Sequence, residues 1–206
     1  MLLLQCDVVM PSQSMSMSAF QKNAFVLLQT AIVGAATLAE SAGADQITVH
    51  LREDRRHIQE VDVRLLRKSI QTELNLEMAA TDKMIGFAVS LQPNLVTFVP
   101  EKRKELTTEG GLNLVKNEGK LMRSIPLLLQ KGIRVSLFID PEAEQVRMAV
   151  RLKADAIEIH TGRYAEARSE GEVKRELSRI SDAARLAAES GLWVAAGHGL
   201  HYQNVR

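Results

Sequence analysis

Cysteine is almost missing from this chain. Cys6 is the only one, which excludes an internal disulfide and fits a reducing, cytoplasmic compartment. An excess of either charge is also lacking. Lysine and arginine number 26 against 25 aspartates and glutamates, so a net charge of +1 gives no global field to attract nucleic acid or a membrane surface. No apolar run approaches the ~20 residues of a membrane span. The apolar stretch from Met1 to Val9 is broken by Gln5 and Asp7 and has no basic flank before it, which makes it a poor signal peptide. No Gly-x-Gly-x-x-Gly turn follows the first clear strand, against a dinucleotide-binding fold, and no metal-ligand spacing is present. The spacing therefore gives no metal site.

What is there is an ordinary globular composition, 46% hydrophobic and 25% charged, in 206 residues, enough for one domain with a full core. Residues 1–30 stand apart. The run Pro11-Ser-Gln-Ser-Met-Ser-Met-Ser18 has no period and reads as an irregular segment. From Thr30 onward a unit recurs: a helix, often a glycine, a short apolar strand, then polar residues. The strands are read at Ile47–Val49, Leu74–Met78, Leu95–Val99, Ile133–Ile139, Ala156–Ile159 and Leu192–Ala196. Gly43, Gly132 and Gly191 close helices, Thr81 caps one, and Asp140-Pro141 reads as an N-cap followed by proline at the first helical position. Such alternation means parallel strands joined by right-handed helical crossovers. Polar residues follow nearly every strand rather than gathering at one switch point, which favours a (β/α)₈ barrel over a doubly wound sheet. The expected fold is thus α/β, a TIM-type barrel over 31–206. It is read as incomplete, with an atypical first strand and no eighth.

The groups that could do chemistry sit where strands end. After Ile47-Thr-Val49 come His50, Arg52, Glu53, Asp54, Arg55, Arg56 and His57 within eight residues. Strand parity places Leu74, Leu76 and Met78 on one face and Asn75 with Glu77 on the other; Glu158 and His160 share a parity opposite Ile157 and Ile159. Glu77 and Glu158 are then expected to point into the barrel, where a carboxylate is costly unless paired. A structural ion pair is the plain explanation for either one, but less so for both together with His50 and His198. His198 lies between two glycines, where backbone can approach a ligand. Lys102, Arg103 and Lys104 read as a solvated loop, and Thr107-Thr-Glu-Gly-Gly111 as a weak phosphate-binding signal. These patterns reach a barrel enzyme doing acid–base chemistry on an anionic, phosphorylated small molecule.

Taken together, Gly43-Ala-Asp-Gln-Ile-Thr-Val-His-Leu-Arg-Glu-Asp-Arg-Arg-His-Ile58, Asn75-Leu-Glu-Met-Ala79, Val99-Pro-Glu-Lys-Arg103, Thr107-Thr-Glu-Gly-Gly111, Val135-Ser-Leu-Phe-Ile-Asp140, Glu158-Ile-His-Thr-Gly162 and Ala196-Gly-His-Gly-Leu200 resemble the pyridoxine 5′-phosphate synthase family of deoxyxylulose-dependent vitamin B6 biosynthesis. The resemblance implies a (β/α)₈ barrel, usually a homo-oligomer built on dimers. It condenses 1-deoxy-D-xylulose 5-phosphate with 3-amino-2-oxopropyl phosphate, without metal or cofactor. It implies His50 and Glu77 as general bases, His198 as the acid, and Glu158 as a stabiliser of charge in the transition state. Arg52, His57 and Thr107 are implied to hold the deoxyxylulose phosphate, and Gly199 the other substrate. The family's opening Asn-x-Asp-His motif has no counterpart in residues 1–30, which contain no histidine and only Asp7 as an aspartate. No match to its eighth-strand Gly-His pair precedes Arg206. Two other readings stand beside this one: a different phosphosugar barrel, such as an epimerase or aldolase, and a catalytically impaired member acting only through association with complete subunits.

Overall fold

The structure, a computed structural model, describes residues 31–100 and 110–205. The segment 1–30 and the stretch carrying Lys102, Arg103, Lys104 and Thr107 lie outside the described residues. A helix over 31–41 (α1) leads to β1 (Gln46–His50). There follow α2 (Glu60–Ser69), β2 (Glu73–Met78), α3 (Asp82–Leu91), β3 (Leu95–Phe98), α4 (Leu114–Leu129) and β4 (Arg134–Ile139). The described chain closes with α5 (Ala143–Arg151), β5 (Ala156–His160), α6 (Gly162–Glu166), α7 (Glu170–Glu189) and β6 (Trp193–Gly197).

Each strand pairs in parallel with the next, and the order in the sheet is the chain order from β1 to β6. A doubly wound sheet reverses direction at its switch point; this sheet never does. With crossovers of the usual right hand, that order puts the helices on one face and curls the sheet into an arc of a barrel. The chain is therefore α/β, with six parallel strands of an incomplete TIM-type barrel.

The alternation read in the strands sorts the two faces. Ile47, Val49, Leu74, Leu76, Met78, Val96, Phe98, Val135, Leu137, Ile139, Ile157 and Ile159 join Val63, Leu66, Met84, Ala88, Leu121, Ile125 and Val146 of the helices in one buried apolar cluster. The opposite parity is also buried but polar: Thr48, Asn75, Glu77, Thr97, Ser136, Glu158 and His160. Phe138, of that same parity and opposite Glu158 in register, is buried yet stands outside the apolar cluster.

The helices are held in place by end contacts that the sequence largely announces. Thr81 accepts the Met84 N–H at the start of α3, and Ser169 with Glu172 forms a capping box on α7. Gly43 and Gly191 take positive φ (90° and 83°) between a helix and the next strand, a turn that disfavours any side chain. Glu40 of α1 ties that helix to the entry of β2, accepting the N–H groups of Gln71 and Thr72 and the Thr72 hydroxyl at 2.7–2.8 Å.

One expected cap is absent. Asp140 does not cap α5; Glu142 occupies the N-cap position, without a side-chain hydrogen bond. The Asp140 carboxylate instead accepts the Gly111 N–H at 3.1 Å and faces His160 Nδ1. Two charge-assisted partners outside the helix outcompete the helix end. The short helix α6, which buries none of its residues, was not foreseen either.

Candidate active site

On the β1–β2 side, His50 closes β1 and Glu77 is the penultimate residue of β2. The two are register partners, and neighbouring strands run about 4.8 Å apart, so imidazole and carboxylate start side by side. Glu77 is only 4% exposed. One layer nearer the strand starts, Asn75 Nδ2 donates to Thr48 Oγ1 at 3.3 Å, and Asn75 Oδ1 accepts the hydroxyl of Thr97, the register partner of Glu77, at 2.9 Å. This chain of polar contacts links β1, β2 and β3 on the face away from the helices.

The β4–β6 side is built differently. Glu158 is buried, and burial pushes its carboxyl up to about 7, with the nearby His160 pulling the other way. Its room comes from β6: a Cβ on Gly197 would lie 2.5 Å from Glu158 Oε1. His160, two residues further along β5, sets Nδ1 3.1 Å from Asp140 Oδ1. The rings of Phe138, His160 and His198 form a triangle. Centroids are 5.2 Å apart for Phe138–His160, 4.4 Å for Phe138–His198 and 5.7 Å for His160–His198. Thr161 pins the turn after β6, its hydroxyl reaching the carbonyls of Gly197 and His198 at 2.6 Å each. His198 itself takes φ 75°, an uncommon conformation for a residue with a side chain and one that calls for such support.

Of the residues singled out from the sequence, His50, Glu77, Glu158 and His198 all fall at or near the carboxyl ends of strands. Glu158 and His198 share the cluster around Phe138 and His160, while His50 and Glu77 form the separate pair on β1–β2. Arg52 lies just past β1, clasped by Asp54 through Nε (3.1 Å) and Nη2 (3.0 Å), which drives the Asp54 carboxyl down to about 2. His57 lies further along the same loop and is half-buried. Gly199 has φ 72°, and a Cβ there would meet Ala165 of α6 at 2.6 Å. Thr107 lies outside the described residues. Sequence reasoning passed over Asp140, His160, Phe138 and Thr161 as parts of the site. The available signal was the shared parity of His160 and Glu158. Among the described residues, no group of three or more histidine, cysteine, aspartate or glutamate side chains could hold a metal ion.

A carboxyl group beside an imidazole on one side, and a carboxyl poised near neutrality beside two imidazoles on the other, can take and return protons in sequence. Comparison with known proteins agrees in sequence and in fold. The family model of the pyridoxal phosphate biosynthesis protein PdxJ matches residues 21–206. The pyridoxine 5′-phosphate synthase of Trichlorobacter lovleyi is 57% identical over 173 residues, 84% of this chain and 72% of that protein. That of Geobacter sulfurreducens is 57% identical over 174 residues, 84% of this chain and 73% of that protein. A crystal structure of mandelate oxidase with (S)-2-phenylpropionate superposes with a TM-score of 0.57 at 13% identity, over 81% of this chain and 57% of that one. At that identity the likeness speaks for the fold alone.

Proposed function

The chain belongs to the family of the pyridoxal phosphate biosynthesis protein PdxJ, and we propose from that premise that it catalyses the pyridoxine 5′-phosphate synthase reaction. The substrates are then those the family resemblance implies, 1-deoxy-D-xylulose 5-phosphate and 3-amino-2-oxopropyl phosphate, with release of inorganic phosphate and water. The observation that carries the reading is the placement of His50 and Glu77 on adjacent strands and of Glu158 and His198 around Phe138 and His160, toward the carboxyl ends of the strands.

Joining an amine to a ketone, losing water and closing a ring is a series of proton transfers. His50 and Glu77 serve as the bases, side by side on adjacent strands so that a proton taken by one group can be shared with the other. His198 is the acid, on a turn that Thr161 holds. Glu158 stabilises charge as it develops; a carboxyl titrating near 7 is available in both forms at neutral pH. Arg52, His57 and Thr107 bind the deoxyxylulose phosphate, with Arg52 exchanging or sharing Asp54 for the phosphate oxygens. Gly199 lets backbone approach the second phosphate. Residues 31–206 are the barrel domain in this reading. The protein is placed in the cytoplasm as a homo-oligomer built on dimers. No described helix is long and apolar enough to cross a membrane.

The test is to incubate the purified chain with both substrates and follow pyridoxine 5′-phosphate, omitting each substrate in turn. Product that requires both supports the reading. No product from both, at any protein concentration, removes it in favour of an impaired member that needs complete subunits.

A further inference from the structure

Asp140 and His160 have no part in the roles above, yet they join several pieces of the site. Asp140 follows β4 with its side chain 33% exposed, and His160 closes β5 with its ring 7% exposed. A single oxygen, Asp140 Oδ1, accepts the Gly111 N–H at 3.1 Å and lies 3.1 Å from His160 Nδ1. The His160 hydrogen bond is the chief cause that holds the Asp140 carboxyl below its ordinary value, against the opposing effect of burial. Asp140 is then an anion at neutral pH, Nδ1 is the protonated nitrogen of His160, and the tautomer and plane of that ring are set.

The far end of the ring has close neighbours too. A Cβ on Gly162 would lie 2.5 Å from His160 Nε2, so only glycine leaves the ring its place. The ring meets Phe138 edge-on at an interplanar angle of 70° and His198 at 75°. Thr161, the next residue, holds the His198 backbone by its hydroxyl. His198 is thereby fixed from two directions, its backbone by Thr161 and its imidazole by the rings of His160 and Phe138.

We propose that Asp140 and His160 are a positioning pair for His198: Asp140 orients the His160 ring through Nδ1, and that ring, with Phe138, sets the orientation of the His198 imidazole. The role in turnover rests on the functional reading above, while the pairing itself does not. Asp140 and His160 touch no reacting atom in this account; they act through His198.

The experiment reads the imidazoles directly. Nitrogen-15-resolved spectra of the chain's five histidines, assigned with single His→Gln variants, are recorded for the unaltered protein, for Asp140→Asn and for His160→Phe. His160 is expected to carry a proton on Nδ1 toward Asp140. Asp140→Asn keeps the size and an acceptor for Gly111 but removes the charge. It is expected to mix the His160 tautomers, to move the His198 ring signals, and to lower kcat about 10-fold to 100-fold with KM nearly unchanged. His160→Phe keeps a ring beside Phe138 without Nδ1 and is expected to lower kcat in the same way. An Nε2–H tautomer at His160 in the unaltered protein overturns the proposal, and that measurement needs no variant to fold. So does an Asp140→Asn protein whose His198 signals and kcat are unmoved. If the unaltered chain makes no product while tautomer and shifts come out as stated, the functional reading falls and the pairing stands.

Discussion

The two carboxylate–imidazole clusters use the same residue types in different frames. His50 and Glu77 are register partners on neighbouring strands, beside a hydrogen-bonded chain of Thr48, Asn75 and Thr97. Glu158 and His160 lie on one strand, and the β6 positions opposite them are Ala195 and Gly197. Across β1–β2 the neighbouring strand offers a polar partner. Across β5–β6 it offers space, and burial without a strong compensating cation lifts the Glu158 carboxyl to about 7. What the adjacent strand presents, more than the identity of the acid, sets the surroundings in which a buried glutamate works.

The largest effect that would test this contrast is at Glu77. If it is a base whose charge is used, Glu77→Gln, a change that preserves shape at a 4% exposed site, lowers turnover by about 10² to 10⁴ with the fold intact. Steady-state kinetics beside a circular dichroism melt measures both. Near-normal turnover would reduce Glu77 to a structural residue and erase the functional side of the comparison.

Next in size is the pH dependence of stability at Glu158. The folded state holds this proton more tightly than the unfolded chain, whose carboxyl titrates near 4.5, while the folded value is about 7. The group therefore favours the folded state most at low pH, and this contribution is lost as pH rises from 4.5 through 7. Glu158→Gln removes the dependence. Relative to the unaltered chain, the variant should gain about 2 kcal/mol more at pH 8 than at pH 5. Urea unfolding at the two pH values measures the difference. An equal difference at both would mean that Glu158 is an ordinary solvated carboxylate and that the two clusters do not differ as argued.

Gly197 is the means by which β6 leaves room, so Gly197→Ala strikes the contrast at its cause. A Cβ 2.5 Å from Glu158 Oε1 forces the carboxylate to move. A cost of about 1–2 kcal/mol in stability is expected, together with a changed Glu158 titration by carbon-13 carboxyl NMR. An unchanged titration would show that the space is not what sets the group's environment.

How much of this was legible beforehand differs between the two sides for a physical reason. The parity of Leu74, Leu76 and Met78 against Asn75 and Glu77 is a local, period-two signal, and the strand realises it directly. His50, at the end of a β-branched run, was equally readable. The parallel strands follow from the recurrence of the αβ unit, although the doubly wound alternative was excluded only by the strand order. On the other side the decisive contact joins residues 20 apart, Asp140 and His160. An aspartate before a proline carries a local capping signal, and nothing within a few residues says that a histidine on the next strand will claim the carboxylate. The short α6, with no buried residues, has no apolar period to betray it.

The smallest predicted effect concerns the hydrogen-bonded chain beside His50 and Glu77. Thr97 is 1% exposed and Asn75 2%, and the Thr97 hydroxyl donates to Asn75 Oδ1 at 2.9 Å. Thr97→Val nearly preserves shape but withdraws the donor, leaving the amide oxygen buried without that bond. Removing one partner costs more than the net worth of the bond, because the other keeps its desolvation penalty. A loss of about 1 kcal/mol is expected. Asn75 also donates to Thr48, so the strain reaches β1 and a small fall in turnover through His50 should accompany it. The companion change Ser136→Ala, on β4 at the register position opposite Thr97, lies outside that chain of bonds and serves as the control. If Thr97→Val and Ser136→Ala cost the same and neither touches turnover, that chain of bonds is packing rather than a support. The β1–β2 pair would then owe its character to adjacency alone.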